Sequence, residues 1–125
     1  MARSIISTAN SASNPAYSQA VKAAGLIFVS GTAPIDPATG QIVEGTVKQQ
    51  VAQCLRNISA ILEAAGSGLD KAVSATLVVA DEDDFSAINE EWMQWFPNDP
   101  PARQGAKMPL RIPGMKISIA LIAEA

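Results

Sequence analysis

Apolar residues follow two rhythms along this chain, one of period two and one near 3.6, and their alternation predicts the order of elements. Residues 17–21 and 26–31 read as two strands joined by a turn over Lys22, Ala23, Ala24 and Gly25. Leu26, Ile27, Phe28 and Val29 are apolar in succession, which predicts a strand buried on both faces. Asp36-Pro37-Ala38-Thr39-Gly40 is a turn, since Pro fixes φ at its corner and Gly permits the return. A helix should follow, with Thr46 as its cap and Gln49 three residues on completing a capping box. Val47, Val51, Leu55, Ile58 and Leu62 would form its buried stripe, and Gly66 would stop it. Residues 73–80 (VSATLVVA) are rich in β-branched side chains and predict a strand.

Asp81-Glu82-Asp83-Asp84 then opens a second helix, where carboxylates cap free N–H groups and complement the dipole more readily than they hold a metal. Phe85, Ile88, Trp92 and Trp95 are its core stripe, and Pro97 ends it. Pro100 and Pro101 impose an extended entry into a strand beginning at Ala102-Arg103, and residues 116–123 (KISIALIA) close the chain as another. The expected architecture is one α+β domain over residues 1–125: a mixed sheet with two helices packed on one face.

Composition narrows the chemistry. The chain has 125 residues, of which 48% are apolar, and that is hard to cover in one small domain unless some apolar area lies between subunits. There is no histidine, so His-based triads, proton shuttles and His metal ligands are all excluded. A single cysteine, Cys54, rules out an internal disulfide and a multi-thiolate zinc site. Cys54 borders the apolar stripe of the first helix and reads as a small core residue. A net charge of −3 without a basic run gives phosphate-driven nucleic-acid binding little support. No signal peptide or membrane span is visible, so a cytoplasmic protein is expected, with an organellar lumen left open.

Few residues remain to carry chemistry. Arg103 follows two prolines, and its guanidinium fork suits a carboxylate, with Gly105 beside it leaving room for a small anion. Taken alone, Arg103 reads more readily as one half of a surface salt bridge. Tyr17 could hydrogen-bond or simply pack. Ser30 and Gly31 end a strand and could face a pocket or begin a loop.

Together these residues say more. Residues 15–21 (PAYSQAV), 28–31 (FVSG), 36–40 (DPATG), Asp84-Phe85 with Asn89, and residues 100–103 (PPAR) resemble the Rid (YjgF) family in order and spacing. The resemblance covers residue 15 to the C-terminus. It implies a chorismate-mutase-like α+β fold and a homotrimer with ligand clefts between subunits. It also implies cofactor-free hydrolysis of enamines and 2-imino acids to 2-oxo acids and ammonia. By motif matching, Arg103 is similar to the family arginine that holds the substrate carboxylate, while Tyr17, Ser30 and Gly31 match pocket-lining positions.

Two departures stand out. The family's active deaminases usually carry Ser-Cys after the arginine, where this chain has Gln104-Gly105. Their last strand carries Glu-Ile-Glu, whose first glutamate is thought to orient or activate water; counted from Arg103 without a gap, that position is Ser118. The resemblance therefore implies an anion clamp without the usual base. The sequence-level expectation is a weak deaminase. Its rivals are a non-enzymatic binder of small 2-oxo or 2-imino carboxylates and, less well supported, an L-PSP-type ribonuclease.

Overall fold

The structure is a computed structural model describing residues 2–125. A short strand that the hydrophobic pattern did not reveal, β1 (Ser4–Ile6), pairs antiparallel with β2 (Ala20–Ala23). β2 turns into β3 (Leu26–Thr32) through Ala24 and Gly25 alone. Both have positive φ, 53° and 77°, as a two-residue hairpin requires to match the twist of its strands. The predicted first strand is therefore displaced: Tyr17 precedes it, in a turn whose backbone N–H donates to Asn14 O at 3.3 Å.

β3 also corrects an expectation. Ile27 and Val29 are buried, but Phe28 between them is 42% exposed. Within one chain the strand is covered on one face only, because both helices lie on the same side of the sheet. Across the open face, Ile5, Val21, Phe28 and Ile122 stand in register on neighbouring strands.

The turn at residues 36–40 joins β4 (Ile35–Asp36) to β5 (Gln41–Ile42), and Asp36 Oδ1 accepts the Ala38 N–H at 2.9 Å. Helix α1 (Val47–Ala64) has the predicted capping box: Thr46 Oγ1 accepts the Gln49 N–H, and Gln49 Oε1 accepts the Thr46 N–H. Its end is a Schellman turn, with Ser67 N–H bonded to Leu62 O, Gly66 N–H to Glu63 O, and Gly66 at φ 80°. The predicted stripe is buried throughout. Cys54 is buried with it, its Sγ 3.3 Å from Thr32 O, and burial pushes the thiol far above its ordinary pKa. It is a core residue.

The second half begins with β6 (Ala72–Val79). The acidic run is a single 3-10 turn in which Asp81 Oδ1 caps the Asp83 N–H at 2.9 Å. Helix α2 (Phe85–Trp95) follows, then β7 (Ala102–Lys107) and β8 (Ile117–Glu124). β6 and β7 are parallel, which demands a crossover, and α2 supplies it. The six-stranded sheet runs β1-β2-β3-β8-β6-β7, so the C-terminal strand is central and β7 is an edge. Its alternation is clean: Ile117, Ile119, Leu121 and Ala123 are buried beneath the helices, while Ser118, Ala120 and Ile122 look to the open face. No helix among the described residues is long and apolar enough to cross a membrane.

Candidate functional site

Arg103 sits on the edge strand, paired with Ala75 and so turned toward the helices. Its Nη2 donates to Asn89 Oδ1 at 2.6 Å, and its guanidinium carbon stands 5.3 Å from the centre of the Trp92 ring. An amide brace on one edge and an aromatic face beneath hold the fork in place. Partial desolvation lowers its pKa from the ordinary arginine value, a cost that an anionic partner would relieve. Such a partner is missing among the described residues: the ion pairs there are Lys48–Glu90 and Lys107–Glu82. The surface salt bridge that Arg103 alone suggested does not form, and most of its N–H donors face outward unused.

Gly105 has a different neighbour from the one its sequence position suggested. A Cβ added there would stand 3.1 Å and 3.2 Å from two ring carbons of Phe85 and 3.4 Å from Leu77 O. The space on its side-chain side is filled by Phe85, the first residue of α2, so the missing Cβ lets that ring pack close on β7. Gly105→Ala should destabilise the fold by roughly 1–3 kcal/mol through overpacking, read as a lowered midpoint in urea with unchanged slope.

Tyr17, Ser30 and Gly31 do come together. They line a cleft of about 150 Å³ at the end of β3, whose walls also include residues 11–14, Ile61 and Ile112. The strand bulges there, since Val29 opposes Leu121 and Thr32 opposes Ile119, with two residues between on β3 and one on β8. Ser30 is locked by its N–H to Gln19 O at 3.0 Å and its hydroxyl to Ser18 O at 2.6 Å, leaving its oxygen as an acceptor. Tyr17 is 55% exposed at the rim. Ser118 adjoins this group: its Oγ lies 3.3 Å from where a Cβ on Gly31 would stand.

The two groups are apart within one chain. β6 and β8 separate β7 from β3. Arg103 opposes Ala75 on the helix face, whereas Ser118 opposes Val78 on the open face. Two strand spacings and three residues along β6 put their α-carbons about 14 Å apart. A small ligand bound to one chain does not touch both.

A family model described as Endoribonuclease L-PSP matches residues 8–125. The chain belongs to the Rid (YjgF/L-PSP) family. The 2-iminobutanoate/2-iminopropanoate deaminase of Capra hircus is 41% identical to the Rid chain over 124 residues, covering 98% of it and 90% of the relative. The conserved Rid protein YyfA of Yersinia pestis is 33% identical and similar in structure at a TM-score of 0.92, covering 99% of this chain and 100% of that one. The E. coli protein TdcF, solved with bound serine, is 31% identical at a TM-score of 0.89, with 98% of each chain covered.

Sequence reasoning passed over several residues around this candidate site. Trp92 was assigned to the core, and it does pack there, yet its ring also carries Arg103. The 11–14 segment and Ile112 were unassigned, although both wall the cleft. Three buried amides organise the surrounding loops. Gln19 ties the segment before the cleft, Gln50 holds Val43 O and Gly114 O, and Asn57 holds Ile35 O. Gln50 and Asn57 left a trace in the sequence, as polar residues on or beside the apolar stripe of α1.

Proposed function

We propose that this Rid protein hydrolyses small 2-imino acids to 2-oxo acids and ammonia, at a site where Arg103 of one copy meets the Tyr17–Ser30–Gly31 cleft of a neighbour in a homotrimer. The observation that carries the reading is Arg103, braced by Asn89 and Trp92 with no carboxylate partner of its own. A planar fork in that state suits a ligand carboxylate bidentately. Support also comes from the name of the goat relative and from the serine held by TdcF, itself a small amino acid bearing a carboxylate.

The reaction is cofactor-free. Water adds to the electrophilic C=N carbon, one proton passes to nitrogen, and the resulting carbinolamine expels ammonia to leave the 2-oxo acid. Clamping the carboxylate fixes the reacting carbon against the cleft, where the Ser30 oxygen and the Tyr17 hydroxyl can orient water and the leaving nitrogen. No Asp or Glu lines the cleft, and that observation favours a second reading, a binder of 2-oxo or 2-imino carboxylates without appreciable turnover.

Ammonia release from freshly generated 2-iminobutanoate, above the uncatalysed rate, is the expected result. Binding of 2-oxobutanoate with no release would select the second reading, and neither would remove both. Sedimentation equilibrium at micromolar protein should return about three times the 13.0 kDa chain mass. A clean monomer would leave Arg103 and the cleft on strands separated by β8 and β6 and sink the shared-site arrangement.

A further inference from the structure

The Gln19 side chain is buried, yet nothing in the proposed chemistry uses it. Its Oε1 accepts the Thr8 N–H at 2.8 Å, and its Nε2 faces three backbone carbonyls: Thr8 O at 3.1 Å, Ser11 O at 3.0 Å and Ala12 O at 3.0 Å. One amide thus serves four main-chain groups, its two N–H donors shared among three carbonyls, in a segment with no helix or strand of its own to satisfy them. The segment leads directly into residues 11–14, one wall of the cleft. At the same residue, Gln19 O receives the N–H of Ser30, which also lines the cleft. Residues 11 and 12 and Ser30, all of which line the cleft, are therefore tied to a single residue.

We infer that Gln19 is a positioning residue for ligand binding, which sets the 11–14 wall against Ser30 and Gly31 and so fixes the width of the cleft. This rests on the proposed function of that cleft. Only an amide meets the requirement in full, because the position needs an acceptor toward Thr8 N–H and donors toward the carbonyls. A methionine of equal length fills the volume but leaves the carbonyls unsatisfied. A carboxylate can accept from Thr8 but meets the negative ends of three carbonyl dipoles. Burial and those dipoles raise the pKa of such a glutamate, and once protonated it regains one donor. The defect of Gln19→Glu is thus present at high pH and relieved as pH falls through the raised pKa.

The experiment compares wild type, Gln19→Met and Gln19→Glu, using steady-state kinetics with 2-iminobutanoate and calorimetry with 2-oxobutanoate. A released wall weakens ground state and transition state alike, so KM should rise about tenfold or more with kcat within about threefold. A loss of folded protein alone would instead lower kcat per chain and leave KM in place. Gln19→Glu should bind as poorly as Gln19→Met at pH 8 and return to within about threefold of wild type at pH 5.5. Gln19→Met affinity within twofold of wild type would overturn the inference, as would a Gln19→Glu deficit that does not change with pH. A wild type that neither binds nor turns over these compounds removes the cleft's proposed function, visibly before any variant is compared, and overturns the inference with it.

Discussion

Replacing Arg103 by alanine should weaken 2-oxobutanoate binding by about 2–5 kcal/mol, or roughly 30- to 5,000-fold. The lower end applies to a site that stays wet, the upper to one that a neighbouring copy covers. The arginine is held on two sides before any ligand arrives, by Asn89 Oδ1 and the Trp92 ring, so little ordering is left for the binding step. Removing it leaves the incoming carboxylate desolvated beside an aromatic surface with no counter-charge.

Arg103→Lys should recover little. An ammonium keeps the charge but loses the planar fork and the stacking that hold this side chain. Calorimetry on the three proteins decides, and equal affinities would reduce Arg103 to a surface residue braced for packing alone. Gly105→Ala serves as a contrast, since its expected defect is in folding, through the Phe85 ring.

The division between what was and was not legible in the sequence follows the range of the interactions. The capping box at Thr46 and Gln49, the buried stripe of α1 and its glycine stop are local devices, satisfied within a few residues, and they stand where the pattern put them. Motif matching is local too, and it brought Tyr17, Ser30 and Gly31 into one cleft. What failed was long-range. A run of four apolar residues in β3 looks the same whether one face or two is covered, and only the placement of both helices on one side left Phe28 outside. Counting fifteen positions from Arg103 to Ser118 gave a correspondence but no geometry. The register of β8 and β7 on β6 sends the two residues to opposite faces. Gly105 read as open space because Phe85, twenty residues earlier, reaches it only through the parallel crossover. Gln19 gave no signal of its own, since its partners are backbone groups between seven and eleven residues away.

Ser118→Glu should raise ammonia release at least tenfold with little change in 2-oxobutanoate affinity. The family resemblance places a glutamate at this position, and a positioned general base typically contributes about 10²–10⁴-fold. The structure gives the substitution a physical setting. Ser118 lies on the open face, with its Oγ close to the empty side-chain position of Gly31, so a longer side chain would extend past a residue that has none. The β3 bulge opposite brings Ser30 and Gly31 to the same end of the strand, and a carboxylate there would lie beside the cleft where water must attack. A serine hydroxyl cannot take the proton near neutral pH. Other carboxylates in the chain are poorly placed to substitute. Glu124 shares the face of Ser118 on β8 but lies six residues along the strand, about 20 Å away. Glu82 is committed to Lys107 at 3.1 Å. What turnover the wild type has must then come from positioning an already electrophilic imine, which can itself supply a real acceleration. Affinity is the control because the substitution leaves the proposed carboxylate clamp, Arg103 with its Asn89 and Trp92 braces, unchanged. Equal ammonia release by wild type and Ser118→Glu, each saturated with imine, would show that water attack at this site needs no base at position 118.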